Sequence, residues 1–451
     1  MEKDIIAVAG TGRSGIAAAR MIIEMGGHCL LYNSDKNTDV KKVLKEFGRK
    51  KPKVITGELK KEDLDGVSLF VMSPGIPLTA DFVKVADDAK IPVIGELELG
   101  FQASRGKIAA VTGTNGKTTV TSLLGEIFKK QYNDVYVAGN IGIPFCEVAD
   151  KTDEDSKTVL EVSSFMLETI MNFHPSVSVI LNITPDHLDR HGTMRNYIRT
   201  KEAITLNQTA DDTVVLNYDD KELRRFGQLK KLKPQVFWFS TQNCPPGNSV
   251  YLSGSKIIVS FDGKRQDLLD VKDLIIIGKH NYENVCAAAC AALAMGVSPE
   301  NIREAAVNFK AVPHRIEFVR ERLGVRYYND SKGTNPDAAI KALLSMPSPC
   351  FLIGGGYDKG GSFDEWVRLF PGRVKKLVLM GATRDRIFEC CRSFGFTDVV
   401  FVDNMDEAVR TCASYANPGD CVLLSPACAS WDMYKDFEER GDDFKKLVNG
   451  L

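Results

Sequence analysis

The sequence predicts an α/β protein of three domains built on mainly parallel, doubly wound sheets. Strand-like apolar runs alternate with amphipathic helical runs almost throughout. Two glycine-rich turns each follow a strand and open a helix. The length of 451 residues, at roughly 150 per domain, gives about three units.

The elements fall into three blocks. In block 1–95, strands are expected at 5–9, 28–32, 67–72 and 91–95, with a helix over 14–26. Block 96–311 opens with a strand at 107–112, followed by strands at 158–162 and 176–182. From about 213 to 272 short strands dominate, including 235–239 and 256–261, which predicts a small β-rich extension. Two helices, 281–295 and 299–309, complete this block. Block 312–451 carries strands at 324–328, 350–354, 375–380, 399–402 and 421–424 with helices between them, a second doubly wound sheet.

Composition excludes several function classes. Lys plus Arg is 58 and Asp plus Glu is 59, a net charge of −1. No basic excess exists to release counterions from a nucleic acid. Apolar residues are 44% and charged residues 26%, near the average for globular chains. No stretch approaches the roughly 20 apolar residues of a membrane span. The start, Met1-Glu2-Lys3-Asp4, lacks the basic, then apolar, pattern of a signal peptide. The 11 cysteines are odd in number and contain no C-x-x-C pair. Reduced core thiols in a cytoplasmic protein are the expectation.

Gly10-Thr11-Gly12-Arg13-Ser14-Gly15 matches G-x-G-x-x-G, with Asp35 20 residues after Gly15. This Rossmann-like turn suits NAD, another nucleotide diphosphate, or a purely structural bend. The block is short for a full dinucleotide fold, which uses two βαβαβ halves.

The second turn says more. The strand Lys107 to Thr112 runs into Gly113-Thr114-Asn115-Gly116-Lys117-Thr118-Thr119. Backbone N–H groups of such a loop wrap phosphates, Lys117 reaches the outer oxygens, and Thr118 can ligate Mg²⁺. Val111 stands where the standard pattern has its first glycine, so this is a variant P-loop. Glu161, at the end of an apolar strand, is placed to complete a metal site. The loop Asp186-His187-Leu188-Asp189-Arg190-His191 lacks soft ligands and fits a phosphate–Mg²⁺ role. His191 itself reads as a polar loop residue.

Together these residues resemble the Mur ligase family. Gly113 to Thr119, Glu161 to Phe165, Asp186 to Asp189, Gly278 to Asn284, Pro313 to Arg315 and Asn329 to Pro336 follow that family's order along the whole chain. Gly10 to Gly15, Ser73 to Pro77, Gly139 to Gly142, Gly355 to Gly360, Ser425 to Asp432 and Phe437 to Gly441 resemble its D-glutamate-adding branch. An Asp/Glu-Asn-Pro-Arg loop, the mark of the diamino-acid-adding branch, is absent.

The resemblance implies an acid–amino-acid ligase. ATP would phosphorylate the L-alanyl carboxylate of UDP-N-acetylmuramoyl-L-alanine. D-glutamate would then attack the acyl phosphate through a tetrahedral intermediate. It implies catalytic roles for Lys117, Glu161, His187 and Lys201, and metal ligation by Thr118, Glu161, His187 and Lys201. Lys201, which composition alone would leave solvated, is implied to carry a CO₂-derived carbamate. Gly113, Thr114, Asn115, Gly116, Lys117, Thr118, Thr119, Asn281, Asn284, Arg315 and Asp330 are implied to bind ATP. Ser14, Ser34, Gly75, Asn140 and Ser163 are implied to meet the UDP substrate. Lys332, Thr334, Lys359, Ser430 and Phe437 are implied to hold D-glutamate, where cations suit its carboxylates. Two Mg²⁺ ions (Mn²⁺ as the alternative), a monomer without nucleic-acid or membrane partners, and closure about a hinge near Val312 complete the implication.

Two departures stand out. Gly333 occupies a position where the family more often has alanine, a change expected only to loosen the backbone. The Asn33-Ser34-Asp35 loop is variable in the family. Competing readings are a Mur-type ligase for L-alanine or a diamino acid, an NAD-dependent oxidoreductase, and a nucleotide-binding regulator without turnover.

Overall fold

The computed structural model describes residues 5–140, 142–310, 312–358 and 360–451, with the side chain of Asp189 outside that set. Three sheets organise them. The first is five parallel strands: β1 Ile5–Ala9, β2 His28–Asn33, β3 Lys53–Thr56, β4 Val67–Met72 and β5 Val93–Gly95, in the order β3-β2-β1-β4-β5. The chain order reverses direction between β1 and β4, and the loops after those strands, Gly10 to Gly12 and Ser73 to Pro77, border that crevice. This is where open parallel sheets receive ligands.

Alternation along each strand explains why both faces are covered. Val8, Leu31 and Val71 face a core shared with the helix Arg13–Glu24. Ala7, Ala9, Leu30, Phe70 and Met72 face the opposite core with Phe82 and Ala86 of the helix Asp81–Asp88. Helix and glycine turn meet closely at Gly15. A Cβ built there would lie 1.9 Å from the Gly10 carbonyl oxygen and 3.1 Å from Ser73 Oγ.

The second sheet has nine strands. They are β6 Lys107–Thr112, β7 Val135–Gly139, β8 Lys157–Glu161, β9 Val177–Ile180, β10 Thr213–Asn217, β11 Gln235–Ser240, β12 Ser249–Ser253, β13 Lys256–Phe261 and β14 Lys264–Asp270. Their order is β14-β13-β12-β11-β10-β9-β6-β8-β7. The β-rich segment therefore continues the central sheet, and only its outer pairings, β12–β13 and β13–β14, are antiparallel. Ile108, Ala110, Leu160, Ile180 and Val214 share one buried cluster with Val8, Leu31 and Val71 of the first sheet. Accordingly residues 1–273 and 282–307 form one compact unit.

The other unit, 274–281 and 308–451, carries the third sheet. Its strands are β15 Glu317–Arg322, β16 Val325–Asn329, β17 Cys350–Gly354, β18 Val374–Leu379, β19 Val399–Phe401 and β20 Cys421–Leu424, ordered β15-β16-β20-β17-β18-β19. Only β15 is antiparallel to its neighbour. Separate cores lie on its two faces, one with Leu352, Leu377 and Leu423, the other with Phe351, Ile353 and Val378.

Several elements differ from the sequence expectation. β5 starts at Val93 because Pro92 has no N–H to donate, although its carbonyl still accepts from Phe70 N. The helix Glu96–Ala103 was not anticipated, because buried acids interrupt its apolar pattern. Glu98 is fully buried there and accepts the N–H groups of Met171, Asn172 and Phe173 at 2.9 to 3.0 Å. β15 is an edge strand rich in charge, which hides its periodicity. All eleven cysteines are free and only Cys244 is exposed. Among the described residues no helix is long and apolar enough to cross a membrane.

The close approach at Gly15 yields a test. Gly15→Ala should destabilise the first unit by about 1–3 kcal/mol, as overpacking does. A lowered urea midpoint measures it, and an unchanged midpoint refutes the contact.

Candidate active site

The phosphate cradle sits where β6 ends. Three strands of the central sheet, β8, β6 and β9, lie side by side, and their following loops converge at one edge. Val111 is in register with Glu161, and Glu161 with Gly139. The sheet thus sets the carboxylate of β8 beside the glycine turn of β6. The helix Lys117–Lys129 begins directly after Gly116, so its first N–H groups face the turn.

Lys117 Nζ donates to the carbonyls of Gly113 and Thr114, each at 2.9 Å. Lys201 Nζ donates to that same Gly113 carbonyl at 2.8 Å. Lys201 is 1% exposed, which overturns the solvated reading that composition favoured. Burial, reinforced by the Lys117 cation, pulls its pKa down to about 7. Its ammonium also lies 4.7 Å from the Tyr197 ring centre. Thr118 and Thr119 are buried in the first helical turn.

Glu161 is buried, and its two oxygens differ. Oε1 accepts from Asn140 Nδ2 at 2.8 Å, while Oε2 is buried without a hydrogen-bond partner among the described residues. A buried carboxylate oxygen left open in this way fits a cation. Among the described residues no three His, Cys, Asp or Glu side chains cluster as a self-sufficient metal site. Asn284 is buried, and a Cβ on Gly116 would lie 2.5 Å from its Oδ1, so the asparagine closes on the cradle. Asn281 lies one turn earlier in the helix Lys279–Ala294, its Nδ2 donating to the Ile277 carbonyl at 2.8 Å.

His187 adopts φ 51°, left-handed backbone that is uncommon for a histidine. It precedes the short helix Leu188–His191, and its half-exposed ring lies 4.9 Å from that of Phe165. His191 corrects the expectation of a polar loop residue. Its side chain is 3% exposed, with Nε2 3.0 Å from Ser164 Oγ and Nδ1 3.5 Å from Glu168. Burial lowers its pKa. Phe165 and Tyr197 pack on its ring, which explains why a polar residue sits inside.

Two clefts gather the UDP-substrate candidates. Gly75 and Ser34 line a cleft of about 770 Å³ with Gly10 and Tyr32, at the carboxyl ends of the first sheet. Ser14 and Asn140 line a smaller one of about 130 Å³ with Glu96 and Met166. Ser163 caps the helix Ser164–Leu167 that carries Met166. Asp35 turns its carboxylate to its own loop, accepting from Asn37 N at 2.8 Å.

In the second unit, the loops after β16 and β20 and the start of the helix Phe437–Gly450 are joined by Arg440, which sequence reading did not single out. Its Nε donates to Ser331 Oγ at 3.0 Å, and its terminal nitrogens donate to the carbonyls of Ser331, Cys428 and Ala429. Ser331 Oγ in turn donates to the Phe437 carbonyl at 2.7 Å. Lys332 follows Ser331, Thr334 N donates to the Lys332 carbonyl at 2.9 Å, and Ser430, next to Ala429, is buried while Phe437 is half-buried. The Lys332 ammonium lies 5.4 Å from the Phe437 ring centre. The only forewarning was an arginine one turn into the helix of the Phe437 to Gly441 motif. Lys359 lies outside the described residues.

Asp330 is buried, accepting from Ser425 Oγ at 2.7 Å and from Ile316 N at 3.3 Å. Burial raises its pKa to about 7 despite the nearby Arg315. Gly333 corrects a second expectation. A Cβ there would stand 2.4 Å from Asp330 Oδ2, so glycine makes room for this carboxylate rather than merely loosening the loop. Alanine requires the Asp330 carboxylate to turn.

Comparisons with known proteins agree along the chain. The family model for the Mur ligase MurD-like N-terminal domain matches residues 4–95, that for the Mur ligase middle domain matches 111–292, and that for the Mur ligase glutamate ligase domain matches 314–428. A UDP-N-acetylmuramoylalanine–D-glutamate ligase of Lachnospira eligens is 47% identical, with 100% of each chain covered. One from Lachnoclostridium phytofermentans is also 47% identical, covering 99% of this chain and 98% of its own. The crystal structure of UDP-N-acetylmuramate-alanine ligase from Thermotoga maritima superposes with TM-score 0.61 at 17% identity, covering 99% of both chains, which supports the fold. With three family domains in order and relatives at this identity over full length, the chain belongs to the Mur ligase family.

Proposed function

We propose that this protein joins D-glutamate to the L-alanyl carboxylate of UDP-N-acetylmuramoyl-L-alanine with ATP, in the cytoplasm, as a step of peptidoglycan precursor synthesis. The observation that carries the reading is the cradle itself. Lys117 and buried Lys201 converge on one carbonyl, on a chain 47% identical over full length to curated D-glutamate ligases.

A carboxylate is a poor electrophile, so one of its oxygens must first become part of a leaving group. Its oxygen takes the γ-phosphoryl group, ADP leaves, and an acyl phosphate forms. The D-glutamate amine, having lost a proton, adds to the acyl carbon. The tetrahedral intermediate expels phosphate and leaves the amide. Each step moves negative charge, so the protein acts by holding phosphates and carboxylates in line.

Lys117 and the helix N-terminus after Gly116 hold the outer phosphates. Thr118 and the open oxygen of Glu161 would hold a first Mg²⁺, and His187 with Lys201 a second. Such ions (Mn²⁺ as the alternative) neutralise the phosphate oxygens when bound. Lys201 suits carbamylation because burial makes its amine neutral near pH 7, and only a neutral amine attacks CO₂. The carbamate would reverse its charge beside Lys117. Asn281, Asn284, Arg315 and Asp330 are assigned to the nucleotide, with Gly113 to Thr119. Ser14, Ser34, Gly75, Asn140 and Ser163 are assigned to the UDP substrate, and Lys332, Thr334, Lys359, Ser430 and Phe437 to D-glutamate. The domain limits 1–95, 96–311 and 312–451 are proposed as the matching division of labour.

Three outcomes test this reading. In a phosphate-release assay with ATP, UDP-N-acetylmuramoyl-L-alanine and a panel of amino acids, D-glutamate should be the one strong co-substrate. Strong release with L-alanine or a diamino acid instead would reassign the branch. Lys117→Ala should lower that release by about a hundredfold or more, the scale of losing a charge-stabilising donor. With ¹³C-bicarbonate, a carbamate resonance should grow between pH 6 and pH 8, as the fraction of neutral Lys201 rises through about 7. It should vanish in Lys201→Ala, and its persistence there would clear Lys201.

A further inference from the structure

We propose that Arg190 is a positioning residue for the UDP-bearing substrate, fixing the Ser73–Pro77 loop against the His187 loop. This rests on the reading above for what the 770 Å³ cleft receives. Arg190 lies in the short helix that follows His187 and is 15% exposed. Its Nε donates to both oxygens of Glu168 at 3.2 and 3.1 Å, and its Nη2 donates to Oε2 at 2.6 Å. The remaining donors cross to the first sheet. Nη1 reaches the Gly75 carbonyl at 3.3 Å and Nη2 the Ile76 carbonyl at 3.0 Å. The guanidinium also stacks 4.1 Å from the centre of the Phe165 ring, the ring that supports His187.

Only a planar fork of donors can serve one carboxylate, two carbonyls and an aromatic face at once. Glu168, 14% exposed, holds the fork in place and has its own second contact in His191. The loop end that Arg190 grips is the end that lines the cleft, since Gly75, Ile76 and Pro77 are all part of its wall. Its other end is tied to β1, where Ser73 N and Ser73 Oγ both donate to the Ala9 carbonyl. Without Arg190, the Gly75–Ile76 stretch keeps one backbone hydrogen bond among the described residues, Ile76 N to the Ser73 carbonyl. The loop that meets the UDP end and the loop that carries His187 would then move independently.

Calorimetry with UDP alone tests this without turnover. Arg190→Met should weaken UDP binding about tenfold, and Arg190→Lys, which keeps the charge but loses the fork, about threefold. In phosphate release, the KM for UDP-N-acetylmuramoyl-L-alanine should rise in the same order while the KM for ATP stays within about twofold. A merely structural role would lower the melting temperature and leave UDP affinity unchanged. That result in folded Arg190→Met overturns the proposal, as does an equal rise in both KM values. Should Arg190→Met fail to fold, Glu168→Gln decides by the same titration, with unchanged UDP affinity counting against us. A wild-type protein that binds UDP but does not ligate D-glutamate would sink the functional reading and leave this test standing.

Discussion

Two lysines share one backbone carbonyl, and much of the molecule is arranged around that fact. Lys117 and Lys201 both donate to Gly113 O. Two ammonium groups brought together repel, and burial adds a desolvation cost for Lys201. The pair is tolerable because Lys201 gives up its proton near pH 7. It becomes favourable when anions arrive. The phosphates and the carbamate proposed above would offset that repulsion with negative charge. Among the described residues the buried Oε2 of Glu161 has no donor, a complementary gap that the proposed Mg²⁺ would fill.

Parallel sheets make such gaps possible. Every parallel strand delivers its following loop to the same edge, so loops far apart in sequence meet without long excursions. β6, β8 and β9 bring Gly113, Val162 and Leu181 to one edge of the central sheet. β16 and β20 do the same for Asp330 and Ser425, which are 95 residues apart yet joined by a hydrogen bond. The first sheet reverses direction between β1 and β4, and the cleft opens there. Glu98 shows how the frame is stiffened away from the site, one buried carboxylate gathering three successive N–H groups.

Much of this was legible in the sequence, for a definable reason. Strand-then-glycine-then-helix patterns are local, so both glycine turns, and the carboxylate at the end of β8, could be placed before any fold was seen. What could not be read was burial decided by distant partners. Lys201 and His191 look polar and exposed in their own windows. Their interiors are made by Gly113, Phe165 and Tyr197, which arrive from other elements. Arg440 is invisible for the same reason, since three of its four acceptors are carbonyls, and carbonyls carry no sequence signature. The helix Glu96–Ala103 was hidden because its acids point inward to backbone N–H groups, the reverse of what amphipathic patterning assumes. Gly333 misled in the opposite sense. It read as freedom, and it is space reserved for a carboxylate.

Three buried groups share a logic. Lys201 is neutralised by burial, Asp330 is driven toward its protonated form near pH 7, and Glu161 keeps an oxygen unsatisfied. Each departs from the ionisation or pairing it would have in water. In the function proposed above, Mg²⁺ at Glu161 and a carbamate on Lys201 would complete charge sets that folding left incomplete. Groups that folding already holds in place need little reorganisation when charge develops on a reacting centre. The overall charge of −1 records none of this. It is a sum over the surface, whereas the chemistry depends on a few buried groups whose ionisation the fold itself has altered.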